Sequence, residues 1–168
     1  MTTPIPSGRV ERLGDGRYDL ALKRSFRAPI ADVWASLTEP ERTARWFGPW
    51  RGDPRSGKVE FQMGFEEGDQ WMTMSIDRCE APRVLGVSAV DEHGSWFLEL
   101  TLAEEDGVTE LTFVQHLAET SAVENTGPGW EYYLDLLVSS REGTPQPDFN
   151  DYYPAQKEYY EGQAAAAG

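Results

Sequence analysis

Few side chains in this sequence could do acid–base, metal or nucleophilic chemistry. Of its two histidines, His93 stands beside the carboxylates of Asp91 and Glu92, and His116 lies in a strand-like segment. An imidazole with two carboxylates could hold a metal weakly, but the three residues fall in a hairpin turn, and we interpret them as an exposed acidic turn. His116 is predicted on the polar face of its strand. A one-residue shift of register would turn it inward as an acid or base.

The remaining reactive groups do not form a recognised catalytic motif. Cys79 is the only cysteine, so no intrachain disulfide can form, and we expect it to be a small buried hydrophobic residue. The signatures of serine hydrolases, phosphate-binding loops and dinucleotide-binding folds are absent. A cyclase or hydratase could still work with one histidine or with Tyr133, so a small enzyme stays open. The sequence favours a non-enzymatic role and indicates no cofactor and no metal.

Aromatic side chains are more prominent than reactive ones. Tryptophan and tyrosine combine an apolar body with a polar tip, which suits semi-polar ligands. Gln115 stands on the otherwise apolar face of its strand, and a buried amide needs backbone, water or a ligand as partner. Each candidate could equally be ordinary core. The candidate ligand-binding residues are Trp34, Trp46, Phe47, Phe61, Met72, Met74, Trp96, Phe113, Gln115, Trp130, Tyr133 and Leu137.

Two short helices are predicted directly after the first long strand. Pro29 suits a first helical position, and the segment Ile30–Leu37 then repeats apolar residues at helical spacing. Thr38 predicts the N-cap of a second short helix, which Gly48 and Pro49 end. These helices place several tryptophans beside the sheet, which favours a cavity lid over a plain sandwich.

The rest of the chain predicts an antiparallel sheet covered by one long helix. Short turn-rich links, including 66–69, connect five alternating segments, which indicates a meander with one apolar face. That face needs a cover, which the segment Trp130–Glu142 supplies. The predicted fold class is α+β, a curved antiparallel β-sheet wrapped around a long C-terminal α-helix. The five predicted strands are Lys58–Met63, Gln70–Cys79, Val84–Val90, Ser95–Ala103 and Thr109–Leu117.

The chain divides into three parts. We interpret residues 1–16 as an N-terminal arm or short hairpin strand, 17–142 as a single domain and 143–168 as an aromatic-rich C-terminal tail. Disordered tails are usually poor in aromatic residues, so the tail is expected to dock on its own domain or on a second subunit, and we favour the first. Its alanine-rich end, 163–168, is expected to fray.

Charge restricts the partners. The formal net charge is −14, and such a field repels nucleic-acid phosphates and anionic membrane surfaces. No apolar run approaches the roughly 20 residues of a membrane span, and the N-terminus does not resemble a secretory leader. We therefore expect a cytoplasmic protein that binds no nucleic acid and does not insert in membranes; a homodimer stays open.

The sequence resembles a known family over roughly residues 18–142. It is similar to the bacterial branch of the activator of heat-shock protein 90 ATPase homologues, within the helix-grip (SRPBCC) superfamily shared with START-like lipid carriers and polyketide cyclases. The resemblance implies a helix grip, often with a cavity between sheet and long helix, but the scaffold serves many functions. The matching segments are Arg24–Pro29, Val33–Thr38, Trp46–Pro49, Pro82–Val84 and the expected helix start at Gly129-Trp130.

The functional hypothesis is a protein that binds a small hydrophobic or aromatic molecule in an internal cavity. One alternative is a small enzyme of the cyclase or hydratase type. The other is a protein-interaction or chaperone-associated module with a filled core. The eukaryotic chaperone activators that this family resembles carry an additional N-terminal domain. Only about 17 residues precede the first predicted strand here, and we therefore do not expect this protein to activate a chaperone.

Overall fold

The computed structural model describes residues 4–64, 70–91 and 94–168. It confirms the α+β class, with a curved sheet, a long helix near the C-terminus and short helices early in the chain. The strands are β1 (Arg9–Arg12), β2 (Tyr18–Phe26), β3 (Trp50–Arg51), β4 (Lys58–Phe61), β5 (Met72–Glu80), β6 (Val84–Asp91), β7 (Gly94–Glu105) and β8 (Val108–Leu117). The α-helices are α1 (Ile30–Thr38), α2 (Pro40–Thr43), α3 (Val123–Glu142) and α4 (Lys157–Ala167), with 3₁₀ turns at Pro54–Ser56 and Phe149–Asp151.

The eight strands found among the described residues form one antiparallel sheet in the order β1-β2-β8-β7-β6-β5-β4-β3. The strands β4 to β8 are the predicted meander, and β3 adds a short strand at its edge that was not predicted. On the other side, β2 pairs with β8, so that Leu22 lies opposite Phe113. A register shift between Ile76 and Arg78 interrupts the β5–β6 pairing. Such a bulge bends its strand and increases the local twist, which helps the sheet to curve.

The concave face of the sheet carries the predicted apolar residues. Phe61 of β4, Leu98 and Leu100 of β7, and Leu111 and Phe113 of β8 are all buried. Their neighbours in sequence point to the convex face, as the period of two requires. The alternation read from the sequence therefore has the correct register, and the differences from the prediction are strand ends and the short strand β3.

The long helix begins at Val123, not at Trp130 as predicted. Gly127 and Pro128 indicated a helix start, but both lie inside α3. Proline removes one hydrogen bond, which here is the bond to the carbonyl of Glu124, and packing of the surrounding helix outweighs that loss. Gly127 is required where it stands, because a Cβ there would come within 2.4 Å of the Tyr160 ring.

Tryptophan indoles fasten the turn that follows the two short helices. Trp46 Nε1 donates to the carbonyl of Ser36 at 2.8 Å, and Trp50 Nε1 donates to the carbonyl of Thr38 at 2.9 Å. Thr38 does not cap α2 as predicted, because its hydroxyl donates to the Trp34 carbonyl at 2.9 Å and Glu39 occupies the N-cap position. The indole tips therefore bind backbone at the end of α1.

The aromatic tail packs on its own domain, as favoured from the sequence. Tyr152 and Tyr160 are completely buried, and Tyr152 donates to Asp135 Oδ2 of α3 at 2.7 Å. Burial raises the pKa of both phenols, so both hydroxyls stay neutral at physiological pH. The expected fraying of 163–168 is wrong for most of this segment, because α4 continues to Ala167, which agrees with the high helix propensity of alanine.

Two expectations fall on residues that the structure does not describe. The predicted turn at 66–69, and the turn containing Glu92 and His93, lie outside the described residues. None of the helices among the described residues combines the length and the apolar composition of a membrane span.

An ion pair between α1 and α3 makes stability depend on pH. Asp32 Oδ2 lies 2.6 Å from Arg141 Nη2, and this hydrogen bond is the main cause that lowers the pKa of Asp32. A lowered folded-state pKa stabilises the fold above the unfolded pKa, and the contribution is lost as pH falls through the folded value. We expect Asp32→Asn to be destabilising at pH 7, and the difference from the unmodified protein to shrink as the pH falls below the unfolded carboxyl pKa of about 3.9. Urea unfolding of both proteins between pH 7 and 2.5 measures this, and a pH-independent difference would contradict it.

Candidate functional site

Two cavities lie between the concave sheet and the helices that cover it. The first, which we call the apolar chamber, has a volume of about 210 Å³ and lies beneath the segment from the end of α1 to β3. The second, the polar chamber, has a volume of about 630 Å³ and lies between the sheet, the first half of α3 and the tail. Both are partly open to solvent.

Three aromatic rings form a wall shared by the two chambers: Phe47, Phe61 and Trp130. The Phe47 ring stacks on Phe61 with centroids 5.6 Å apart, and it lies nearly parallel to the indole of Trp130 at 6.5 Å. Phe113 packs against the same indole at 4.6 Å. Each ring is thus held by at least one other ring, and such pairs add to the stabilisation from burial alone.

Polar groups beside the apolar chamber already have partners within the protein. Thr43 Oγ1 donates to the carbonyl of Gly48 at 2.8 Å, and the hydroxyl of Thr38 and the indoles of Trp46 and Trp50 bind backbone as described above. The remaining lining is almost wholly aliphatic and aromatic. This chamber therefore offers a ligand apolar contact and little hydrogen bonding.

The polar chamber has a different chemistry. Its lining includes Gln115 at the end of β8 and two polar residues of α3, Asn125 and Thr126. The indole Nε1 of Trp130 donates to Gln115 Oε1 at 2.8 Å, which fixes the orientation of the amide. Aromatic walls with a few placed polar groups are typical of small-molecule sites.

The structure brings most of the predicted site residues together. Trp46, Met74 and Phe113 line the apolar chamber. Met72, Trp96, Gln115 and Tyr133 line the polar chamber. Phe47, Phe61 and Trp130 line both, whereas Trp34 and Leu137 line neither, and Leu137 is fully buried in the core.

Sequence reasoning missed several residues of the polar chamber. Asn125 and Thr126 were overlooked because the helix was predicted to begin too late. Phe149 reaches the chamber from the tail, where its ring contacts Tyr132 at 5.4 Å. The helical spacing from Asn125 to Tyr133 would have located the first pair, but no local signal indicates where the tail docks.

Two of the potentially reactive residues are not enclosed. The prediction that Cys79 is buried is wrong: it is exposed near the end of β5, at the border of the apolar chamber. His116 lies on the convex face, with Nδ1 2.7 Å from Asp19 Oδ1 and Nε2 3.4 Å from Glu99 Oε2. It is therefore outside both chambers, and among the described residues no cluster of potential ligands could hold a metal ion.

Comparison with known proteins gives one family match. Residues 27–140 match the family model described as Activator of Hsp90 ATPase homolog 1-like protein. No functionally curated protein matches the chain.

Several solved structures share the fold. The crystal structure of CalU16 from Micromonospora echinospora is 27% identical, with a TM-score of 0.72 over 99% of this chain and 98% of that one. A conserved protein of unknown function from Enterococcus faecalis is 19% identical, with a TM-score of 0.72 over 96% and 92%. DynU16, a protein from the dynemicin biosynthetic locus, is 23% identical, with a TM-score of 0.65 over 78% of this chain and 50% of that one.

Proposed function

The chain belongs to the Activator of Hsp90 ATPase homolog 1-like family, and we propose that it binds a small hydrophobic or aromatic molecule in the polar chamber, between the sheet and α3. The observation that carries this proposal is the chamber itself. Its volume of about 630 Å³ lies within the range of about 300–1,000 Å³ that small-molecule sites occupy. The mechanism is burial of the ligand against aromatic side chains.

The apolar chamber supports the same function as an extension. A cavity of about 150 Å³ lined by apolar groups is large enough to bind benzene, and this chamber is larger, at about 210 Å³. The shared wall of Phe47, Phe61 and Trp130 connects the two sites through contacting rings. A ligand in the polar chamber therefore packs against rings that also line the apolar chamber.

The lining also favours an uncharged ligand. Among the described residues that line the two chambers there is no lysine, arginine, aspartate or glutamate. A charged ligand group would lose its hydration without gaining an ionic partner, which is strongly unfavourable. The acidic net charge of −14 opposes anionic ligands further.

The first experiment is native mass spectrometry of freshly purified protein, compared with its denatured mass. We expect an adduct of small-molecule mass that is lost on denaturation. A direct binding assay follows with 2-isopropenylnaphthalene, a neutral apolar probe, detected by quenching of tryptophan fluorescence. A freshly purified protein without adduct that also fails to bind this probe would contradict the proposed function.

Gly129→Phe is expected to weaken binding of that probe at least about tenfold. Gly129 lines the polar chamber, and a Cβ added there meets no atom within 4 Å, so the position has room for a side chain and we expect the ring to take up chamber volume. Phenylalanine also has higher helix propensity than glycine, so the fold is not weakened by the change. Isothermal titration of both proteins measures the difference.

Gly162→Phe is the matched control. Gly162 lies in α4, a Cβ there also meets no atom within 4 Å, and the residue lines neither chamber. We expect its affinity to stay within about twofold of the original protein. Equal affinity of the two variants would place the probe outside the polar chamber and overturn the assignment.

A further inference from the structure

Gln115 is a buried polar side chain that, within the described part of the chain, uses one of its four hydrogen-bonding positions. Its exposed fraction is 8%, and its Oε1 accepts the indole N–H of Trp130 at 2.8 Å. Reversing the amide would place two N–H donors against each other, so this contact settles which end is the oxygen. The NH₂ group is therefore the end that remains available.

That NH₂ group belongs to the lining of the polar chamber. Within the described part of the chain, Gln115 Nε2 donates no hydrogen bond, and it is not among the fully enclosed atoms without a partner. It is therefore accessible from the chamber rather than sealed in the core. A purely apolar ligand that fills the chamber would leave this donor without a partner, which is unfavourable, and a ligand that supplies an acceptor avoids that cost.

The surroundings restrict the acceptor that fits. Trp96, Trp130 and Tyr132 make the chamber walls aromatic, and the described lining has no cationic side chain to pair with a carboxylate or phosphate. An amide N–H binds a neutral carbonyl oxygen without requiring a counter-charge. A flat apolar molecule that bears a carbonyl can pack against the aromatic walls and accept a hydrogen bond from the Gln115 N–H.

We propose that Gln115, oriented by Trp130, is the specificity-determining residue of this site and selects neutral, apolar ligands that carry a carbonyl group. This inference rests on the proposed function, because it assumes that the polar chamber holds the ligand. Trp130 is a positioning residue: it turns the amide so that the donor, not the acceptor, faces the chamber.

The test compares two probes of nearly the same shape. 2-Acetylnaphthalene carries a carbonyl where 2-isopropenylnaphthalene carries a methylene group, so the pair differs only in the acceptor. We expect the ketone to bind the unmodified protein about tenfold more tightly than the alkene, as one added neutral hydrogen bond predicts. In Gln115→Met, which keeps the length of the side chain, the preference falls to within about twofold.

A spectroscopic measurement keeps the test independent of the variant's folding. The carbonyl stretching band of 2-acetylnaphthalene bound to the unmodified protein is expected at lower frequency than in hexane, since a hydrogen bond weakens the C=O bond. Tyr133→Phe is the second variant, because Tyr133 also lines the chamber, and it is expected to keep the ketone preference.

Each outcome decides between the two proposals. If neither probe binds and the freshly purified protein carries no adduct, the proposed function fails and the inference fails with it. If both bind equally, or if the bound carbonyl band matches that in hexane, the chamber binds ligands but Gln115 does not select them. Loss of the preference in Tyr133→Phe, with retention in Gln115→Met, would overturn the assignment to Gln115.

Discussion

Arg24→Met is expected to lower the free energy of unfolding by about 3–5 kcal/mol, since it leaves a buried carboxylate without its cation. Glu131 is 1% exposed, and its Oε1 lies 3.3 Å from Nη2 of Arg24. The Nε of the same guanidinium donates to Asp135 at 3.0 Å. After the substitution Glu131 keeps only its hydrogen bonds from Ser7, which are insufficient for an enclosed charge. Urea unfolding at pH 7 measures the change.

A double variant separates the buried charge from general loss of packing. Arg24→Met/Glu131→Gln removes the unpaired charge and is expected to be more stable than Arg24→Met alone, a non-additive result typical of paired groups. Arg55→Met is the surface control, because the Arg55–Asp53 pair is largely exposed, and its effect is expected to stay within about 0.5 kcal/mol. A double variant less stable than Arg24→Met would refute this account of Glu131.

Gly127→Ala is expected to destabilise the protein by about 1–3 kcal/mol, although alanine is the better helix former. The added methyl group would lie 2.4–2.5 Å from three ring carbons of Tyr160, which is fully buried. Either α4 moves away or α3 bends, and both expose apolar surface. Thermal unfolding measures the loss, and faster proteolysis within 143–147 reports release of the tail.

Gly129→Ala, in the same helix, is expected to change stability in the opposite direction. A Cβ at Gly129 meets no atom within 4 Å, so only helix propensity changes, and the variant is expected to gain up to about 1 kcal/mol. Comparing Gly127→Ala with Gly129→Ala separates the effect of the contact between α3 and the tail from the effect of helix propensity. If both variants shift stability in the same direction, Tyr160 does not constrain position 127.

The contact between tail and helix also bears on the polar chamber. Phe149 of the tail lines this chamber and is 43% exposed, and Tyr152 holds the following turn to Asp135. The first turns of α3 thus contribute Asn125 and Thr126 to the site, and the tail packs against the same helix. Variants that release the tail are therefore expected to weaken probe binding as well as stability.

Much of the fold could be predicted because its signals are local. The period of two in β7 and β8 placed Leu98, Leu100, Leu111 and Phe113 on the concave face, and burial confirms it. The same alternation singled out Gln115 as a polar residue on an apolar face. Half of the twelve candidate site residues lie on strands, where a large side chain on the concave face of a covered sheet lies near its cover.

Local patterns were enough to predict the alternation of the strands, the cover helix and the aromatic, apolar-to-semi-polar lining between them, because each depends on residues close together in the chain. The start of α3, the division of the interior by Phe47, Phe61 and Trp130, and the docking of the tail follow from the tertiary fold. These depend on contacts between distant segments: Gly127 is suited to its place only because Tyr160 packs there, and Gln115 presents its N–H only because Trp130 binds its oxygen. No local pattern records such pairs.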